Sequence, residues 1–158
     1  MSSSLVLVVV FLIGVIAGLR ALTAPTVVSW AGYLGWIHLS GSHLAFMGTL
    51  VMAIIFSVLA LAEIVNDKLP KTPARTAPPS VVIRIVLGAF AAATLSVGAG
   101  ASAIVGVILG IIGVLVGTFG GYQARTRTVK ALGMPDFVIA LVEDLIAVGG
   151  GFLMVSRL

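Results

Sequence analysis

Long apolar runs separated by short polar stretches organise this chain. No Lys, Arg, Asp or Glu occurs at positions 1–19, 21–62 or 85–124. A run of about 18 or more apolar residues reads as a membrane span. The pattern predicts spans over about residues 5–22, 44–65, 103–122 and 137–155. A further span begins near Val81 and turns near Gly98, in "SVGAGAS". The first run resembles a signal peptide only superficially, because "MSSS" carries no basic residue and the apolar stretch is long, so it is expected to be a mature helix. Between the first two spans, "APTVVSWAGYLGWIHL" is apolar but interrupted by Gly32 and Gly35. Trp30, Tyr33 and Trp36 give it the aromatic chemistry of a membrane interface. It reads as a re-entrant or interfacial half-helix, with a sixth crossing over residues 24–39 as the alternative. The expected fold is all-α: a single polytopic transmembrane domain over residues 1–158, with about five transmembrane helices plus this short one.

Composition agrees with that class. Hydrophobic residues make up 60% of the chain and charged residues 9%, against about 25% charged in soluble domains. The net charge of +4 is then a topology signal and not a nucleic-acid footprint. There is no cysteine, which removes disulfides and thiol chemistry. The loop over residues 67–80 carries Lys68, Lys71 and Arg75, and the loop over 123–135 carries Arg125, Arg127 and Lys130. Two spans separate these loops, so they share a side, and basic loops stay cytoplasmic. The C-terminus is then external. The N-terminus is inside with five spans and outside with six.

One phrase is written twice. "GVIAGLRALT" from Gly14 and "GTFGGYQART" from Gly117 align Gly14 with Gly117, Gly18 with Gly121 and Arg20 with Gln123. A second echo, "ALAEIVND" from Ala60 and "ALVEDLIA" from Ala140, places Glu63 on Glu143. With five spans the copies run antiparallel, which is the inverted repeat of many transporters; a sixth span makes them parallel. The glycines have a reading that needs no repeat. Gly106, Gly110, Gly113, Gly117 and Gly121 fall on one helix face, as do Gly14 and Gly18 on theirs. Small residues so spaced let helix backbones approach closely in a membrane. Val114, off that face, is expected to meet lipid or a looser contact.

Charges inside such runs narrow the chemistry. A charge at membrane depth costs about 2.5–3.5 kcal/mol on insertion scales, so it pairs or lines a wet cavity. Glu143, with Asp144 beside it, is the leading candidate for a substrate or ion pathway, followed by Glu63 and Arg20. Gln123, at the position equivalent to Arg20, is expected to point its amide at the same site. Asp67, Lys68 and Lys130 read as anchors at helix ends. The alternative for the whole set is structural ion pairing. His38 and His43 have no carboxylate or thiol near them in sequence, so no metal site is expected. No motif nominates a nucleophile, a nucleotide or a cofactor, so an enzyme is not the favoured class.

"AGLRALTAP", "LAEIVNDKLPKTP", "RIVLG" and "ALVEDLIA" resemble the signature segments of an uncharacterised bacterial integral membrane protein family, the domain of unknown function numbered four-one-two-six. The resemblance covers nearly the whole chain, with the segment from Glu63 to Pro70 as its most specific part. It implies a compact helical protein of the bacterial inner (cytoplasmic) membrane, and no substrate. Three functions stay open. The favoured one is a secondary transporter or channel whose carboxylates handle protons or cations. The others are an accessory subunit docked through its glycine faces, and a lipid-binding or lipid-modifying protein. The partners expected are the lipid bilayer, a small ion or small-molecule substrate and further copies in a homo-oligomer. The charge pattern makes a direct prediction. Cysteines placed at Thr72 and Thr128 should be shielded from an impermeant thiol reagent in intact cells, while one at Ser156 reacts. Labelling at Thr72 with protection at Ser156 would reverse the orientation.

Overall fold

The computed structural model describes residues 3–69 and 74–158. Lys71 and the labelling position Thr72 lie outside them. Among the described residues six helices follow one another: α1 (Ser3–Leu19), α2 (Thr23–Tyr33), α3 (Leu50–Asn66), α4 (Pro78–Gly98), α5 (Ala103–Leu132) and α6 (Asp136–Val155). A short 3-10 turn, Ala45–Gly48, leads into α3. The local chemistry places the ends. Thr49 Oγ1 accepts the Met52 N–H at 3.3 Å and caps α3. Pro78 and Pro79 open α4, where a missing N–H costs nothing. Gly133 ends α5 in the left-handed region at φ 60°, which suits a residue without Cβ. Within α5, Val116–Gly120 widens into a π turn.

Three of these helices are long and apolar enough to cross a membrane: α4, α5 and α6. Two more, α1 and α3, are apolar but shorter. The chain is thus all-helical, with candidate spans that point to a multi-pass membrane location.

The centre is built by α1, α4 and α5, which pack along one another. The glycines set how close they come. A Cβ at Gly113 would lie 2.3 Å from Phe11 O, and one at Gly117 would lie 2.1 Å from Val15 O. One at Gly14 would meet Gly110 O at 2.5 Å, and one at Gly18 would meet Val114 O at 2.4 Å. Gly106 and Gly110 face α4 in the same way, through Ala93 and Ala92. Gly121 lies against the Leu19 side chain.

Those pairs fix direction. Gly14 meets Gly110 while Gly18 meets Val114 and Gly117, so α1 and α5 run parallel. The two copies of the glycine phrase are therefore parallel neighbours and not an inverted pair. The glutamate copies run the other way. Glu63 lies in the last turn of α3 and Glu143 in the first half of α6, yet both sit at the same end of the bundle. One symmetry operation cannot produce both relations.

The first apolar run also stops earlier than its hydropathy predicts. It ends at Leu19, and the chain turns at Arg20 to start α2 at Thr23. The backbone N–H of Arg20 still bonds Ile16 O at 2.7 Å, but the ladder is interrupted beyond it. Every α2 residue from Thr23 to Ser29 is buried. With 11 residues, α2 rises about 16 Å, and the chain after it continues to the opposite end, where the His38 N–H bonds Gly98 O at 2.8 Å. Residues 24–39 therefore link the two ends of the bundle, and Ser3 and Leu158 lie at the end away from Arg20 and the charged cluster. The α3 helix packs on α2 through Thr26 Oγ1 to Phe56 O (3.0 Å) and Trp30 Nε1 to Ser57 Oγ (2.9 Å). The α6 helix packs on α1 and α2, with Phe152 edge-on to Trp36.

Val114 departs from its expected place. It is fully buried, because its side chain fills the space over Gly88 on α4. The informative contrast is instead between Gly117 and Gly120, which share the π turn. A Cβ at Gly120 meets nothing within 4 Å. Gly117→Ala should destabilise the protein in detergent by about 1–3 kcal/mol, as overpacking does. Gly120→Ala should be neutral or slightly stabilising. Equal melting temperatures for the two variants would contradict the close α1–α5 contact.

Candidate functional site

Wherever a helix breaks inside an apolar bundle, its terminal carbonyls and N–H groups need partners. At the α1–α2 break those partners are charged. Arg84, from α4, donates through Nη1 to Gly18 O at 3.0 Å and Ala17 O at 3.5 Å. Thr118 Oγ1, from the π turn, reaches Gly18 O at 3.3 Å. On the other side of the break, the Glu63 carboxylate accepts the N–H groups of Ala21 (2.8 Å) and Leu22 (2.9 Å) at the start of α2. The signs suit the helix dipoles: a cation at the C-terminus of α1 and an anion at the N-terminus of α2.

Arg20 sits in the break itself and is 1% exposed. Its Nε donates to Asp144 Oδ1 at 2.6 Å, and its Nη1 bonds Asp67 Oδ2. Its Nη2 lies 2.5 Å from the same Asp144 oxygen without hydrogen-bond geometry. Lys68 Nζ completes that pair, at 2.9 Å from Asp144 Oδ2 and 3.1 Å from Ile64 O. Glu143, the next residue on α6, turns to a different cation. Arg75 grips it with two hydrogen bonds, one of 2.9 Å, and Arg125 Nη1 stands 3.6 Å away. Arg125 in turn holds Asp136 through Nε at 2.8 Å and a second bond through Nη2.

All five acidic residues of the chain are in this cluster. Arg20, Lys68, Arg75, Arg84 and Arg125 balance them. Among the described residues, Glu63 is the one carboxylate with no cationic side chain in ion-pair contact.

Beside the cluster lies an open cleft of about 1160 Å³. It forms because α3 packs on α2 and not along α4. Leu59 and Val65 form the α3 wall, Ile83 and Leu87 the α4 wall. Glu63, Asp67, Arg75, Arg84, Arg125 and Asp136 line its charged part.

The expected pathway residues are thus divided. Arg20, Asp144 and Glu143 enter the ion network, and Glu63 lines the cleft. Gln123 does not join them. It is exposed on α5, because the helix continues past Tyr122 and carries position 123 to the outside. Its place opposite Arg20 in the alignment has no counterpart in space. Asp67 and Lys68, expected as anchors, are partners of Arg20 and Asp144, while Lys130 is exposed. Arg75, Arg125 and Asp136 carry no site assignment from sequence, where Arg75 and Arg125 mark only topology and Arg84 is one of the cations available to pair with the carboxylates. The signal available for them was the count: a chain this apolar with five acids needs cations near each of them. His38 and His43 are exposed in the 34–49 connection at the opposite end.

Against known proteins, a family model described as "Domain of unknown function (DUF4126)" matches residues 7–156. No curated protein and no solved structure matches the chain.

The network predicts an asymmetric response to substitution. Arg20→Met strands Asp67 and part of Asp144 in a buried site, and should cost about 3–5 kcal/mol of unfolding free energy in detergent. Arg127→Met, at an exposed position, should stay within about 0.5 kcal/mol of the parent. Adding Asp144→Asn to Arg20→Met should recover part of the loss, since the two residues are coupled. Additive losses would show that they act independently.

Proposed function

The chain belongs to the DUF4126 family, and we propose that it is a small membrane carrier whose substrate site is the α3–α4 cleft and whose exchangeable group is Glu63. The observation that carries this reading is the setting of that carboxylate. It lines an open cleft, and it is held by two backbone N–H groups and not by an arginine. Ionisable groups at membrane depth mark pathways by default. A carboxylate bound only by N–H donors can gain or lose a proton or a cation without breaking a salt bridge. Glu143 has no such freedom, because releasing it means opening the Arg75 pair. The cytoplasmic side of the basic loops and the external C-terminus follow from the charge rule, and the parallel packing of α1 and α5 favours six crossings with both termini external.

A structural role is the competing reading, favoured by the two N–H bonds through which Glu63 caps α2. Glutamine separates the two. Its carbonyl still accepts one N–H, but it cannot bind a proton or carry charge. In proteoliposomes with a pH-reporting dye, Glu63→Gln should lower proton-coupled flux at least about tenfold in protein that still folds, with a melting temperature reduced by the one N–H left without an acceptor. Glu143→Gln should instead lose stability, by leaving Arg75 unpaired. Full flux in Glu63→Gln, or none in the parent across ion and substrate panels, would overturn the carrier reading.

A further inference from the structure

The charge distribution of the cleft identifies a chemical class of occupant. Resting on the reading of the cleft as the substrate site, we propose that it binds one phospholipid whose headgroup carries a phosphate and a primary ammonium.

Size comes first. At about 1160 Å³ the cleft exceeds the roughly 300–1,000 Å³ of pockets for drug-sized molecules. A small ion or metabolite would leave most of it filled with water. Its length points the same way. From Leu59 to Asn66 the lining covers seven residues of rise, about 10 Å along α3, and continues past its end through Asp67 and Leu69, from apolar walls to the charged end. A ligand that matches it has an apolar part and a polar part, in that order.

Access comes second. The cleft is open, and the apolar side chains of Leu61, Val65 and Ile83 that line it are exposed. A molecule already in the bilayer can enter there without crossing water.

Charge decides the headgroup. Three arginines line the polar end, Arg75, Arg84 and Arg125, and three carboxylates, Glu63, Asp67 and Asp136. A simple anion would meet the carboxylates, and a simple cation the arginines. A zwitterion satisfies both, with its phosphate on the guanidinium groups and its ammonium on the carboxylates. The ammonium is primary because carboxylates take N–H hydrogen bonds from it. Quaternary ammonium is recognised by cages of aromatic rings, and Tyr122 is the one aromatic residue lining the cleft among the described residues.

The test uses the full-length protein in detergent micelles. Phosphatidylethanolamine, phosphatidylcholine and phosphatidylglycerol are titrated separately, with soluble glycerophosphoethanolamine as a fourth ligand. Binding is read by native mass spectrometry and by thermal shift. Phosphatidylethanolamine should bind one to one and about tenfold tighter than either other lipid, and the soluble headgroup should bind far more weakly. Two variants probe the site. Ile83→Trp, on the exposed apolar wall, should weaken all lipid binding without loss of fold. Asp136→Asn makes the lining net positive and should shift preference toward phosphatidylglycerol, an effect that a purely structural role would not produce. Equal affinity for the three lipids would overturn the proposal. So would an unchanged preference in Asp136→Asn, or soluble headgroup binding as tight as the lipid. Selective lipid binding without any flux would leave this inference standing and remove the carrier reading. Flux without selective lipid binding would do the reverse.

Discussion

Everything at the basic end of this protein follows from a helix break in an apolar setting. Between Leu19 and Thr23 the backbone leaves one helix and starts another. An unsatisfied backbone group in hydrocarbon costs several kcal/mol, so the break requires partners from elsewhere in the chain. They come from three helices: Glu63 on α3, Arg84 on α4 and Thr118 on α5. Supplying them draws the end of α3, the first turns of α4 and the middle of α5 together around residues 18–22. Arg20 then lies inside the assembly, and its own charge needs Asp67 and Asp144. Asp144 in turn draws Lys68. Each compensation brings in a group that needs the next one.

The glycine contacts make the same arrangement sterically workable. Arg84 reaches the carbonyls of α1 only if α4 lies directly against it, and Gly88, one turn further along α4, faces Ala17 and Val114. Thr118 reaches Gly18 O only if α5 lies equally close, and Gly113 and Gly117 leave no side chain between the two backbones. The π turn at Val116–Gly120 adds to this, since it reorients the α5 face where Gly117 and Thr118 both meet α1. Packing and polar satisfaction are therefore one design at this end. A larger residue at either glycine position disturbs a hydrogen bond as well as a van der Waals contact.

Helical class, approximate helix positions and the glycine face were legible in the sequence, because each is a local periodicity. The break at Arg20 was not. Arg20 is the one charge in "AGLRALTAP", and a lone charge inside a long apolar run marks a pairing site as readily as a helix end, while Pro25 sits within the first turn of α2, where proline is tolerated. The direction of the repeated phrase hangs on the same segment. Counting the α2 segment as a half-helix removes one reversal and turns parallel copies into antiparallel ones. Partner choice was least legible. Arg20 and Asp144 are 124 positions apart, and no spacing rule distinguishes Asp144 from Glu143 beside it. Adjacent residues on a helix point about 100° apart, so one turns to Arg20 and the other to Arg75. Gln123 fails by the converse argument: alignment gave it a role that its helix face denies it.

The cleft and the ion network are coupled because both depend on α3. That helix has one neighbour to pack along, α2, and exposes much of its remaining apolar surface. Its basic end is held by polar links instead: Glu63 to the start of α2, Asp67 to Arg20 and Lys68 to Asp144. Those links set how far α3 stands from α4, and so how wide the cleft opens. Asp67 both pairs with Arg20 and lines the cleft, and Glu63 both caps α2 and lines it. A ligand that competes for either carboxylate necessarily loosens an anchor of the wall it binds against. Occupancy and helix position are then linked thermodynamically: whatever favours one state of α3 alters affinity by the same free energy. The balanced charge of the cluster keeps that exchange affordable, since a zwitterion replaces paired charges with paired charges and leaves no buried ion without a partner.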